Sequence, residues 1–147
     1  QFAPFSLYVV HKLSTASTGS EFMITDPNLT GWSYSGSSVL NGFLSIGSAT
    51  TGLALAYGGC LAGPAISCVA INMFGFSATG AVCGRIDVVP SPTAGGIIKI
   101  VDCEFIEFPA TGGTAYVNPN GTCSDCNEPQ PNATEESTWG KVKSLYR

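Results

Sequence analysis

Short apolar runs broken by glycine, proline, asparagine and serine recur through the first 117 positions, and none keeps a helical period. FSLYVVHKL, from Phe5 to Leu13, predicts a first strand, with Pro4 ahead of it where a missing donor does least harm. EFMIT, Glu21 to Thr25, predicts a second, closed by the turn signal Asp26-Pro27-Asn28. The run from Ser38 to Ile46 alternates loosely around Asn41-Gly42, a tight-turn dipeptide, so it is expected to hold two very short strands. GLALAY (Gly52 to Tyr57), AISCVAINMFGF (Ala65 to Phe76) and the short segment Thr114 to Val117 complete the simple cases. About eight strands at roughly ten-residue spacing predict an all-β fold, an antiparallel sandwich or barrel.

The stretch from Ala81 to Phe108 organises the rest. Two β-branched runs flank the Pro/Gly segment PSPTAGG, the composition of a β-hairpin with a long connection. A turn centred on Thr93 sets Cys83 opposite Cys103, Asp87 opposite Lys99, Ile86 opposite Ile100 and Val88 opposite Ile98. The second strand is apolar on both faces, which places it within a two-sided core.

After Val117 the character changes. Residues 1–117 read as one all-β domain, and residues 118–147 as a polar segment of the same domain, rich in proline and asparagine and anchored by disulfides. Asn132 as N-cap, Glu135 at the capping-box position and Lys141, Lys143 and Arg147 in the later turns suit a short terminal helix, with a tail ordered only by contact as the alternative. Net charge is −4, and half of the six basic residues fall in the last seven positions, so the body lacks the basic field that nucleic acid demands. No run approaches the roughly 18 apolar residues of a membrane span.

Six cysteines (Cys60, Cys68, Cys83, Cys103, Cys123, Cys126) and sequons at Asn28, Asn120 and Asn132 point to an oxidising, secretory route with disulfides and N-glycans. The chain is expected to be secreted and to begin after signal-peptide removal. The hairpin register favours a Cys83–Cys103 bridge; the competing arrangement ties these cysteines to the polar C-terminal segment. Cys123-Ser-Asp-Cys126 lacks the second pair and histidines of a zinc site and the flanking strand and helix of a redox site.

Candidate chemistry is sparse. The sole histidine, His11, lies in the first strand with no nucleophile motif around it. Asp102 and Glu104, two apart on one strand with Cα atoms about 6.6 Å apart, could imitate a glycosidase pair, but such pairs come from different elements across a cleft. Asp125, Glu128, Glu135 and Glu136 match no calcium loop. Trp32 and Tyr34 share a strand face; exposed they could stack on a sugar, buried they are core. No cofactor or metal is expected. Low charge along the strand edges predicts a tendency to homodimerise.

Taken together, the Gln1-Phe2 start, the apolar Gly/Ser/Thr-rich β body, the six cysteines and the short polar C-terminus resemble the small secreted cysteine-rich proteins of filamentous fungi. Some of these are effectors or elicitors perceived by plants, and others are wall-associated. The resemblance implies a non-enzymatic extracellular role with a host or cell-wall protein or glycan as partner; it assigns no functional residue. A carbohydrate- or small-ligand-binding β-barrel is the alternative expectation, and a glycoside hydrolase the least favoured.

Overall fold

The computed structural model describes residues 3–76, 83–118 and 123. Among them run ten strands: β1 (Ala3–Lys12), β2 (Ser17–Ile24), β3 (Trp32–Val39), β4 (Leu44–Ser48), β5 (Gly52–Leu61), β6 (Ala65–Gly75), β7 (Gly84–Val89), β8 (Ile98–Asp102), β9 (Glu107–Ala110) and β10 (Thr114–Val117). Every pairing is antiparallel. β6 is the middle of a three-stranded sheet between β1 and β3, while β10, β7, β2, β5 and β4 form the second sheet, which β8 and β9 join alongside β2. Neither sheet closes on itself, so the fold is a sandwich and not the barrel that the strand spacing also allowed.

The core follows from alternation along the central strands. Val69, Ile71 and Met73 of β6 turn inward against Phe22, Ile24, Leu53, Leu55 and Tyr57 of the second sheet. Next along β6 is Gly75, whose place is filled by a neighbour: the Trp32 ring lies across it from β3, and a Cβ there would come 2.5 Å from Cζ3. Phe5 meets the same indole edge-on, with ring centroids 5.2 Å apart. β1 and β6 slip register between Val9 and Val10, opposite Val69 and Ser67, which leaves Cys68 as the extra residue of a bulge. Both Cys68 and Val69 are fully buried there.

The strand count exceeds the expectation for two reasons. The serine- and glycine-rich WSYSGSSV is weakly apolar, yet β6 has a free edge that it pairs with. The long apolar run after the Pro/Gly loop breaks at residues 103–106 into β8, a tight turn and β9. Asn41 and Gly42, both at positive φ, turn the chain between β3 and β4, but these strands lie in different sheets and form a corner where a hairpin dipeptide suggested a hairpin.

The predicted 81–108 hairpin is not formed. β8 pairs with the first half of β2 (Ser17↔Asp102, Glu21↔Lys99) and β7 with its end (Met23↔Val89, Ile24↔Val88). Ile24 N donates toward the β5 side, to Ala49 O at 2.7 Å, and Thr25 N donates to Asp87 O at 2.9 Å on the opposite side. Since successive amides of a strand point to opposite edges, β7 and β8 lie in line along one edge of β2. They are one interrupted strand, and residues 90–97 are an excursion from it. That excursion folds over β2, with the Thr93 hydroxyl bonded to the Glu21 carboxylate and Ser91 and Ala94 buried.

The pairs derived from the hairpin register fail with it. Ile86 and Ile100, like Val88 and Ile98, are not cross-strand neighbours, and Asp87 does not meet Lys99. Each charge has a partner on an adjacent position instead: Arg85 Nε donates to Asp87 at 2.8 Å, and Lys99 Nζ sits 3.2 Å from Glu107 and 3.9 Å from Glu21. Cys83 and Cys103 stand at the far ends of the line, on the order of 30–40 Å apart by strand rise, so the favoured bridge between them is excluded. Among the described residues the disulfides are Cys60–Cys103 and Cys83–Cys123, with Cα separations of 5.3 and 5.9 Å, and Cys68 is a free thiol.

Candidate functional site

Trp32 and Tyr34, the aromatic pair proposed for ligand contact, both pack against the core from β3. Trp32 is wedged between Phe5 and Gly75, and its indole nitrogen is buried without a hydrogen-bond partner, while Tyr34 is half-buried. Asp102 and Glu104 do not share a strand face, because β8 ends at Asp102. The Asp102 carboxylate instead accepts from the amides of Glu104 and Ile106 at 2.9 and 2.8 Å, an Asx-type turn. Asn28 is exposed; its side chain bridges Asp26 Oδ1, at 2.9 Å, and the Tyr34 amide, at 3.2 Å. Asn120, Asn132, Cys126, the acidic residues beyond it and the predicted terminal helix lie outside the described residues.

His11 belongs to a polar cluster inside the sandwich that its sequence surroundings did not reveal. The Tyr57 hydroxyl donates to Ser20 Oγ at 2.8 Å, His11 Nδ1 lies 3.0 Å from the same hydroxyl, and Cys68 Sγ lies 3.7 Å from it. Because the Tyr57 proton points to Ser20, His11 Nδ1 is the donor of its bond. Burial pushes the Tyr57 phenol and the Cys68 thiol up, and lowers His11. All of these groups are therefore uncharged near neutral pH, and Ser20, Tyr57 and Cys68 are buried. This cluster satisfies polar atoms within the core.

Two surface features remain. At the break between β7 and β8 an open cleft of about 410 Å³ runs between Pro90, Ile97 and Pro109 to a polar end at Arg85, Asp87 and Thr114. Asp87 occupies that end fully engaged: burial pushes its carboxyl up, but bonds from Thr114 and Arg85 outweigh this and hold it below the usual range.

The second feature is the β8–β9 turn. Phe105 is 79% exposed, Ile106 51% and Phe108 44%, three large apolar side chains within four positions. The turn is held rigidly from several directions. Besides the two bonds to the Asp102 carboxylate, Asp102 N donates to Ile106 O at 3.0 Å and Phe105 N to Asp102 O at 3.3 Å. The Thr18 hydroxyl donates to Asp102 O at 2.8 Å, and Cys103 is bonded to Cys60 at the end of β5, across the start of β2. Leu61 and Asp102 both pair with Ser17, which is why these two cysteines meet. Phe105 has φ +63°, a left-handed conformation that is a genuine outlier for a bulky residue. The sequence carried one sign of this turn, an Asx-type residue breaking an apolar run too long for one strand.

Among the described residues there is no cluster of three or more His, Cys, Asp or Glu able to hold a metal, and no helix long and apolar enough to cross a membrane. Two disulfides indicate folding in an oxidising compartment. Comparison with known families, curated proteins and solved structures finds no match to this chain.

Proposed function

We propose that the protein is a secreted recognition protein, acting by binding and not by catalysis at a host or cell-wall interface, in keeping with its resemblance to the small cysteine-rich proteins of filamentous fungi. One observation carries this reading: the rigid, disulfide-anchored β8–β9 turn holds Phe105 out of the core at a backbone conformation that costs stability. Such a feature gains nothing for the fold, whereas recognition surfaces are built from exposed aromatic anchors held in place before binding. The chemistry-bearing side chains support it from the other side, since Asp102, Asp87 and His11 are each committed to structural bonds.

The test is infiltration of the native protein into plant tissue beside a reduced and alkylated sample and the Phe105→Gly variant. A response to native protein that both controls lack is expected. Equal silence in all three, together with no retention on plant or fungal wall fractions, would remove the proposal. Self-association belongs to a different surface: β4 ends its sheet, carries no charge and exposes Leu44 and Ile46, so a second copy would pair there. Light scattering at two concentrations measures it.

A further inference from the structure

The acidic surroundings of the β8–β9 turn say what kind of surface receives it. Glu104 sits on the turn and Glu107 at the start of β9, both exposed, with the Asp102 carboxylate between the strands and Glu21 further along β2. Lys99 is the cation among them; it is largely buried and held by Glu107 and Glu21. Four carboxylates thus stand against one engaged ammonium around an apolar tip. Asp102 is taken up by the turn amides and Lys99 by Glu21 and Glu107 on the outer face of the sheet, so the charge that a visitor meets is that of Glu104 and of the still-exposed Glu107, beside Phe105 and Ile106.

Resting on the recognition reading above, we propose that the turn is the docking element and that its partner is a protein with an apolar pocket for Phe105 rimmed by lysine and arginine side chains. Three occupants are separable on charge. An anionic bilayer is repelled by Glu104 and Glu107, and a second copy would set two acidic tips face to face. A cationic rim instead pairs with both glutamates while the pocket removes the Phe105 ring from water, combining steering with an aromatic anchor. Rigidity favours this arrangement, because the Asp102 bonds and the Cys60–Cys103 link leave little ordering to be done on binding.

The experiment selects binders from a displayed library of a single-domain scaffold with randomised loops, using the disulfide-intact protein and no steering toward any face. The expected result is that most binders carry apolar residues flanked by lysine or arginine. They should lose about thirty-fold or more in affinity on Phe105→Gly, the size of an aromatic anchor. They should also weaken on Glu104→Gln/Glu107→Gln and between about 0.05 M and about 0.5 M salt. Phe105→Gly suits the left-handed position and so keeps the turn while removing the ring. Binders that tolerate Phe105→Gly overturn the docking element, and Phe105-dependent binders without basic residues or salt sensitivity overturn the partner's chemistry. Phe105-dependent binding to phosphatidylcholine vesicles, or a Phe105-dependent dimer in light scattering, would assign the turn to a bilayer or a second copy and sink the proposal. A failure here leaves the tissue-response test of recognition standing, because that test does not depend on what the partner's pocket contains.

Discussion

Replacing Phe105 by glycine removes the largest side chain of the β8–β9 turn, yet it should leave stability nearly unchanged. With 79% of the residue exposed, only about a fifth of the 150–250 Å² an aromatic can bury is withdrawn from water. At ~25 cal/mol per Å² that forfeits about 1 kcal/mol. A glycine also gives the unfolded chain more freedom, a further loss of about 0.4–1 kcal/mol. Against these stands relief of a left-handed conformation at φ +63°, about 1–2 kcal/mol for a residue with a Cβ. The terms cancel to within about 1 kcal/mol. Phe105→Val loses similar burial, keeps the strain, worsened by branching at Cβ, and is spared glycine's unfolded-state loss, so it should fall about 1 kcal/mol below the glycine variant. Urea unfolding with the disulfides intact, followed by circular dichroism, gives both numbers. Phe105→Gly losing about 2 kcal/mol or more, with valine no worse, would mean that the ring is a packing element and the turn is not strained at this position.

Three further outcomes test the fold around the turn. The double variant Cys60→Ala/Cys103→Ala, which opens a loop spanning 43 residues, should lose about 4 kcal/mol in urea unfolding and the amide protection of residues 103–106 in hydrogen exchange. Gly75→Ala, in a background where Trp139 is phenylalanine, should lose about 1–3 kcal/mol and shift the Trp32 emission to the red as the indole is pushed off β6. Burial lowers the His11 pKa, so the unfolded chain takes up its proton first. The stability that neutral His11 contributes is complete above its ordinary value of 6.5 and is lost as pH falls through the folded value. Asp26, lowered by the backbone and then the side-chain amide of Asn28, and Asp87, raised by burial but lowered further by Thr114 and Arg85, lose theirs only in the more acidic carboxylate range. Unfolding midpoints should therefore decline already between pH 7 and pH 5 in the native protein, about the histidine range, and stay flat there in His11→Gln; an identical slope in both would remove the assignment.

Strand content was legible in this chain, and strand partnership was not, for a reason that Asp87 and Lys99 make plain. The apolar runs around residues 84–89 and 98–102 have the composition of strands whichever neighbour they take, so the sequence marks them correctly. Deciding that they pair with each other needs the further premise that a Pro/Gly loop reverses the chain. Here β2 offers eight residues of edge, enough for both segments in line, and the loop steps aside over Glu21 without turning back. Complementary charge could not discriminate, because Arg85 lies two residues from Asp87 and Glu107 comes opposite Val101, next to Lys99, once β8 has paired with β9. Disulfide pairing inherited the error, since a bridge depends on where strands end and not on what they contain.

The same distinction explains why the candidate site was missed. Trp32 and Tyr34 drew attention as aromatics in a polar setting, but their setting is one edge of β6, where a ring covers a glycine. Phe105, Ile106 and Phe108 looked like more of a buried strand, since apolar residues in a run are ordinarily core. What turns them outward is local and polar: the Asp102 carboxylate capturing two amides, and a disulfide fixing the next residue. An apolar residue is displayed here because a neighbouring polar one ends the strand beneath it. The place to look for recognition in a sandwich of this kind is then where an Asx-type turn interrupts an apolar run, and Asp102→Ala should test that directly. Without the two captured amides the turn should lose its hydrogen-exchange protection at Glu104 and Ile106, and binders selected on the native turn should weaken although Phe105 is still present. Unchanged protection and unchanged binding would show that the disulfide alone sets the geometry.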